Sequence, residues 1–523
     1  MGKPIRLFAA IDIGSQRLRM KIVEIGREGR LRELENVDLL IPLGRDTFND
    51  GKLSFASVRA TCEAIAGFQR LMTDYGVTEC RVVATSALRE ASNREYMVDQ
   101  IRMLTGFDVE IINNAQEKFL TFQAARSLLQ GAGLAGMGES VLVLDIGAGS
   151  IQLSRCTDGH LVSSQSMKIG ALRIKEAMGR IEQHSLRFSD VLEEYIEAHV
   201  ESLDTFRDSD DPTRFVVITG ESETLVKLAG VAQPEPMTAV SRDRFEKSFH
   251  KAVEMPAPQL AALCGISQAG ADVIAPVLIL IRKFFDKTAA SEVLFPHITL
   301  VDGLIAEHVQ AGLSRAGSSR FEADVLSNAE HLAQRYRYNR THSQYVVSAS
   351  LLLFDSLRTL HGMDARDRFL LHVAALLHDT GKFIAADPHA KHSDSLIRAS
   401  QLAGLSDMEL LTVASIARYH SSEEPSFDSD NLRRLGVRNR LKTVKMIAII
   451  RLADALDTSH RQKITGLRVE LAENACRIRG SSRMDTALEQ WTFGMKSEFF
   501  REVFGLKPLL TIANKAGKPE EAP

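Results

Sequence analysis

Two short runs place a carboxylate, a glycine turn and a hydroxyl in the same order: Asp12-Ile-Gly-Ser15 and Asp145-Ile-Gly-Ala-Gly-Ser150. Each Asp closes an apolar run, so each lies where a buried strand gives way to a turn. Glycine at 14, 147 and 149 lets the backbone approach an anion and aim N–H groups at it, while Ser15 and Ser150 add hydroxyl donors. A carboxylate does not pair with phosphate. Its natural work beside one is to hold Mg²⁺, directly or through water, and Asp145, with Asp12, is the candidate for that role. A third glycine turn, Gly220-Glu-Ser-Glu-Thr224, follows the apolar run Phe215–Thr219. One such turn alone is equally an ordinary hairpin; two in matching places and a third favour a phosphate cleft between two lobes.

The second half of the chain carries imidazole and carboxylate instead. His342 shares a helix with Val346, Val347, Leu351 and Phe354, and His378-Asp379 ends the apolar run Phe369–Leu377. A buried Asp beside a His is costly unless something pairs them, and a bound cation removes that cost. His389, His392, His420 and Asp454 follow. Such ligands without thiolates suit Mn²⁺, Fe, Mg²⁺ or Zn²⁺ at an open hydrolytic site. The bland alternative is a set of satisfied core histidines.

The elements that must position these groups come in two styles. Strands are expected at 7–13, 18–24, 81–85, 109–112, 141–146, 151–154 and 215–219, with helices at 54–75 and 94–104 between the early ones. Two hairpin strands followed by β–α alternation give a mixed sheet with helices on its faces, and the pattern restarts after the glycine-rich stretch 131–138. The strand–acid–glycine–strand unit at Asp12 therefore recurs at Asp145, an internal duplication. The tract 311–320 reads as a linker. Beyond it the chain is helical to about 462, and a last segment pairs 466–471 with 475–480 and adds a helix near 488–504. The expected fold class is α/β plus all-α, divided as lobes 1–128 and 129–312, a helical metal domain 321–463, a small α+β segment 464–514 and a disordered tail 515–523.

The whole chain narrows the function classes. Across 523 residues, Lys+Arg 64 against Asp+Glu 67 leaves −3, which argues against a protein that coats nucleic acid or a membrane surface. The five cysteines are scattered without CxxC spacing, which fits a reducing cytoplasm and excludes a thiolate zinc ribbon. No apolar run approaches the roughly 18 residues of a membrane span. Arg17, Arg19 and Lys21 alternate with Leu18, Met20 and Ile22, so three cations share one strand face; that is either a solvated face or a rail for a polyanion. Neither a nucleotide-base pocket nor a sequence-specific nucleic-acid module is apparent.

At five motifs the sequence resembles the exopolyphosphatase/guanosine pentaphosphate phosphohydrolase (Ppx/GppA) family of the actin-like, ribonuclease H-like superfamily. They are Ala9-Ala-Ile-Asp-Ile-Gly-Ser15, Ala84-Thr-Ser-Ala-Leu-Arg-Glu-Ala91, Asn114-Ala-Gln-Glu117, Asp145-Ile-Gly-Ala-Gly-Ser150 and Ile169-Gly-Ala-Leu-Arg173. The resemblance implies two actin-like lobes, Glu117 as the water-activating carboxylate, Arg89 facing the phosphate chain, and oxygens held by the turns at Asp12, Gly14, Ser15, Asp145, Gly147, Gly149, Ser150 and Gly220. A carboxylate beside phosphate charge is in any case driven toward the range of a general base. The chain departs from the family pattern at Gln116, where the first of an acidic pair is usual, at Lys118-Phe119, at Gln152, and at Glu221 and Glu223. The second half looks like the HD superfamily of metal phosphohydrolases: His342, His378, Asp379 and Asp454 match its core pattern, and His392 and His420 the added ligands of two-metal versions. The resemblance also implies a homodimer.

The leading expectation is release of terminal phosphate from inorganic polyphosphate or pppGpp in the cytoplasm, with Mg²⁺ in the cleft. Two alternatives stand beside it: a metal phosphohydrolase or phosphodiesterase acting through the helical domain with the first half as sensor, and a non-catalytic binder of polyphosphate or (p)ppGpp.

Overall fold

The protein is represented by a computed structural model that describes residues 6–26, 29–134, 139–182, 188–200, 211–231, 237–313, 320–400, 402–472 and 474–514. The expected tail 515–523, most of the linker 311–320 and half of the glycine-rich stretch 131–138 lie outside the described residues. The chain divides into two compact units, Met1–Asp324 and Val325–Pro523.

The first unit contains two sheets built to one plan. Strands β1 (Arg6–Ile13), β2 (Arg17–Ile25), β3 (Leu31–Leu40), β4 (Glu79–Ala84) and β5 (Val109–Ile111) lie in the order β3-β2-β1-β4-β5. β1 is antiparallel to β2 and parallel to β4. Its central position explains a nearly all-apolar sequence buried on both faces, whereas β2 alternates from Arg17 to Ile22, burying Leu18, Met20 and Ile22, and after a register shift buries Val23 and Ile25 in a second cluster. Strands β6 (Ser140–Ile146), β7 (Ile151–Thr157), β8 (His160–Met167), β9 (Arg214–Thr219), β10 (Met237–Ser241) and β11 (Glu292–Pro296) follow in the order β10-β11-β9-β6-β7-β8. Read from β8, this is the first sheet again (hairpin strands, then parallel neighbours) with β10 added at the edge.

Helices cover these sheets for ordinary reasons. Phe55–Tyr75 starts under a Ser54 cap, ends at a left-handed Gly76, and buries Val58, Cys62, Ile65, Phe68 and Met72 along one stripe. Asn114–Gly131 is buried almost all round, and it packs against Leu300–Leu313, with Leu120, Leu300, Val301 and Leu304 joining Phe8 and Val83 of the first sheet. The apolar run at 275–281 lies in the buried helix Ile274–Phe285, and among the described residues no single helix is long and apolar enough to cross a membrane.

The second unit is built on helices Arg340–Ser356, Ala365–Leu377, His389–Ala399, Asp407–Arg418 and Val437–Ala455. Capping boxes at Asp364/Asp367 and Ser406/Glu409 fix two of their starts. Strands β12 (Thr465–Ala472), β13 (Ala475–Ser482) and β14 (Lys507–Asn514) form a separate sheet with helix Ala487–Phe504 between the last two. The expected pairing of 466–471 with 475–480 is the β12–β13 hairpin; β14, parallel to β13, was not anticipated.

Candidate phosphate cleft and metal centre

Asp12 and Asp145 occupy the same place in their sheets. Each is the last residue but one of its strand, and each faces a hairpin partner, Arg19 for Asp12 and Gln152 for Asp145. The turns close alike: Gly14 N–H donates to Arg17 O at 3.0 Å and Gly147 N–H to Ser150 O at 2.9 Å. Both turns thus sit at the carboxyl ends of parallel strands, where open α/β sheets bind ligands. The second turn is further clamped by the helix Ala171–Glu182, whose first amides donate to Gly147 O and Ala148 O. A Cβ on Gly170 would lie 2.3 Å from Ala148 O, so only glycine permits that approach.

Between the turns stands the start of helix Asn114–Gly131. Asn113 Oδ1 accepts from Gln116 N–H at 2.8 Å and Gln116 Oε1 from Asn113 N–H at 3.3 Å. Gln116, a departure in the sequence, therefore serves as the third residue of a capping box. Glu117 follows on the first turn, where the helix dipole favours negative charge. Arg89 Nη1 donates to its Oε2 at 3.2 Å and to Ile112 O at 2.8 Å. Ser15 and Ser86 share a hydroxyl hydrogen bond of 2.6 Å, and Ser150 Oγ donates to Asn114 Oδ1 at 2.6 Å. Arg173 links the lobes, donating to Gly149 O at 3.0 Å and to both Glu90 oxygens at 2.9 Å.

Burial pushes the Asp12 carboxyl up to about 7, opposed by Arg19 and assisted by Glu117. Asp145 is raised by burial as well, against the pull of Lys118 and with Glu117 again adding to the rise. Glu117 is thus within electrostatic reach of both turns. The third turn is less hostile to phosphate than its sequence implies: Glu223 is exposed, and the Glu221 carboxyl, raised by burial, accepts from the Thr219 hydroxyl at 2.5 Å. No side chain crowds Gly220. The cationic strand face is spent in ion pairs, Arg17 and Arg19 with Asp38 at 3.1 Å each, Lys21 with Glu33 at 2.9 Å and Asp302 at 2.8 Å.

In the second unit, histidines and carboxylates converge in two groups that share Asp379. His342, His378 and Asp379 form one, with Asp454; Asp379, His389 and His420 form the other. In the first group His342 Nε2 lies 3.2 Å from His378 Nε2, 3.4 Å from Asp454 Oδ1 and 3.5 Å from Asp379 Oδ2. In the second His389 Nε2 lies 3.2 Å from His420 Nε2 and 3.4 Å from Asp379 Oδ1. Metal–ligand bonds of about 2.1 Å place neighbouring ligand atoms roughly 3.0–3.4 Å apart, which these spacings approach.

The outer ring nitrogens show why the inner ones point inward. His378 Nδ1 donates to Ala375 O at 2.7 Å, His420 Nδ1 to Ala417 O at 2.6 Å, His389 Nδ1 to Ala386 O at 2.9 Å, and His342 Nδ1 meets Asp457 Oδ2 at 2.9 Å. A carbonyl partner requires a proton on Nδ1, so the Nε2 lone pairs of His378, His389 and His420 face each other and His342 across buried space. Asp379 Oδ1 there lacks any hydrogen-bond partner. Burial depresses His378 to about 3, keeping it neutral and able to ligate. Burial also opposes ionisation of Asp379 and Asp454, yet imidazoles together with Lys382 and Lys496 hold both carboxyls well below the usual range. The donor set fits one or two divalent ions.

The model of the Ppx/GppA phosphatase family matches residues 31–311, and that of the family's domain III matches residues 326–492. The chain belongs to the Ppx/GppA phosphatase family. Among solved structures it is similar to the Ppx/GppA member from Aquifex aeolicus (21% identity, TM-score 0.51) and to an exopolyphosphatase-like protein (21%, 0.52). Each likeness covers 60% of this chain and 100% of the other, and at that identity it speaks for the fold alone. The Ppx/GppA match supports the actin-like architecture that the resemblance implied, and with it an enzyme of the phosphoanhydride-hydrolase type.

One expected position needs correction within this Ppx/GppA chain. His392 stays half-exposed outside both ligand groups, and His389 takes its place. The cause is a close approach: a Cβ on Gly381 would lie 2.0 Å from His389 O, so the turn after Asp379 lies directly against the first residues of helix His389–Ala399. A helical side chain leans toward its N-terminus, which carries His389 over Asp379. Asp145, expected to hold Mg²⁺ directly or through water, has a lysine beside it. Lys118 Nζ donates to Asp145 Oδ1 at 2.5 Å, and the two side chains are buried together. Sequence inspection also missed Asp457, Lys382 and Lys496, whose partners are distant in the chain or identifiable only from helix phase.

Proposed function

We propose that the first unit releases terminal phosphate from inorganic polyphosphate, and accepts pppGpp through the same triphosphate end. The observation that carries this is the placement of Glu117: paired with Arg89 and in electrostatic reach of both phosphate turns. The Gly14 and Gly147 amides close the turns, the Gly149 amide binds non-bridging oxygens, and the Ser15 and Ser150 hydroxyls turn to those oxygens from Ser86 and Asn114. Water attacks the terminal phosphorus in line; its proton passes to Glu117, the new P–O bond forms, and the bridging P–O bond breaks toward the shortened chain. Arg89 offers its free N–H groups to the charge that spreads in the transition state. The test is phosphate release from polyphosphate and from pppGpp by purified protein; inertness toward both sinks the proposal.

A second reading rests on the shared Asp379. The second unit then resembles an HD-type phosphohydrolase, with His342, His378, Asp379 and Asp454 holding one ion and Asp379, His389 and His420 another. Ions bound there supply Lewis acidity toward a phosphoester. Phosphoester cleavage that survives Glu117→Gln but not Asp379→Ala assigns activity to this unit.

A further inference from the structure

A divalent ion does not fit Asp145 as the side chains stand. Oδ1 is engaged by the Lys118 ammonium, Oδ2 has no hydrogen-bond partner but is buried away from any incoming hydrated ion, and only 3% of the Lys118 side chain and 10% of the Asp145 side chain is exposed. The same ammonium lies against the glycine turn: a Cβ added to Gly147 would meet Lys118 Nζ at 2.9 Å. Asp145 also gains no help from its strand neighbour. Gln152 stands opposite, and its amide is used locally, Nε2 donating to Ser154 Oγ at 3.2 Å and Oε1 accepting from Ser166 Oγ at 3.1 Å.

We propose that Lys118 is the resident cation of the second phosphate turn, its ammonium taking the place a divalent ion would hold and presenting fixed positive charge to the bound phosphoryl oxygens. This rests on the reading of the cleft as a phosphate site and names a further residue of it. Residues 117 and 118 are neighbours on one helix, about 100° apart around its axis, so one helical step sends Glu117 to Arg89 and Lys118 to Asp145. A buried ammonium neutralises the aspartate without exchange or dehydration, the step Mg²⁺ resists. It is also preorganised, since it needs no movement when phosphate arrives. Any Mg²⁺ required then comes as the counter-ion of the polyanion and not through Asp145.

The test counts Mn²⁺ bound to the full-length protein by electron paramagnetic resonance, so it does not depend on turnover. Wild type and Asp145→Asn should bind the same number, all of it elsewhere; Lys118→Met should gain one ion per chain, and Lys118→Met/Asp145→Asn should lose it again. In metal-free buffer, tripolyphosphate should bind Lys118→Met roughly tenfold more weakly than wild type, the loss of one charge-assisted contact. One fewer Mn²⁺ in Asp145→Asn than in wild type overturns the proposal, as does unchanged tripolyphosphate affinity in Lys118→Met. Asp145→Asn leaves the lysine in place, so its count decides even if Lys118→Met folds poorly. Absence of phosphate release by wild type would instead strike the phosphatase reading and leave the ion count standing.

Discussion

His389 Nε2 stands 3.4 Å from Asp379 Oδ1, a buried oxygen that accepts no hydrogen bond, and with His420 Nε2 at 3.6 Å from the same oxygen it makes Asp379 a bridge between two ligand groups. His389→Ala should therefore lower bound transition metal from about two ions per chain to about one, whereas His392→Ala should leave the count alone. Asp379→Ala combined with His378→Ala should strip both. Metal analysis after gel filtration decides it, and a loss on His392→Ala equal to that on His389→Ala would refute the bridge.

The base is tested separately. Glu117→Gln keeps the shape and the Arg89 contact but cannot take a proton, so phosphate release should fall by at least about a hundredfold. Binding of polyphosphate should persist, because the turns and Arg89 remain. A variant that retains most of its rate removes the first unit as the catalyst.

Much of this was legible in the sequence because it is local. Strand, acid and glycine turn lie within a few residues, so the Asp12 and Asp145 units were visible twice. Hidden were pairs set by tertiary contact. Lys118 read as a departure beside Glu117, and nothing in the chain announces a partner 27 positions away. His389 and His392 are one helical turn apart, and only the close packing of Gly381 selects the phase. β3 escaped because its charged, largely exposed sequence lacks alternation, as an edge strand allows, and β14 because its pairing is with a parallel strand across a helix. The cations at 17, 19 and 21 were placed correctly on one face; their acidic partners on β3 were not foreseen.

The first unit also carries a buried ion pair. Arg126 Nη1 meets Asp324 Oδ2 at 2.5 Å, and Gln123 Nε2 donates to the same oxygen at 2.8 Å, all three residues being buried. Asp324→Ala strands the guanidinium and should cost about 3–5 kcal/mol. Because the chain has two units, the readout must be local: thiol labelling in urea, resolved by peptide mass, at Cys156 of the first unit and Cys476 of the second, both buried. Cys156 should label at lower urea in the variant while Cys476 holds its midpoint. A shift of neither means the pair contributes little.

The last prediction turns on Asp12. Its carboxyl is held at about 7 in the folded protein by burial, against an ordinary value of 3.8. Below the ordinary value the group is protonated whether folded or unfolded, and its ionisation costs nothing. Between about pH 4 and pH 7 the unfolded chain releases the proton while the native state keeps it, so the native state binds more protons and stability falls as pH rises. Above the folded value both states are ionised and the penalty is constant. Asp12→Asn, which imitates the protonated group, should therefore gain on the wild type as pH increases from 4 to 7 and then hold its lead, on the order of 4 kcal/mol. Other titrations common to both proteins cancel in this difference. Urea unfolding at half-unit pH steps, read within the first unit by pulse proteolysis and peptide mass, measures it. A gap that is flat across that window, or that narrows as pH rises, would show that Asp12 ionises freely in the folded cleft and that burial does not govern it.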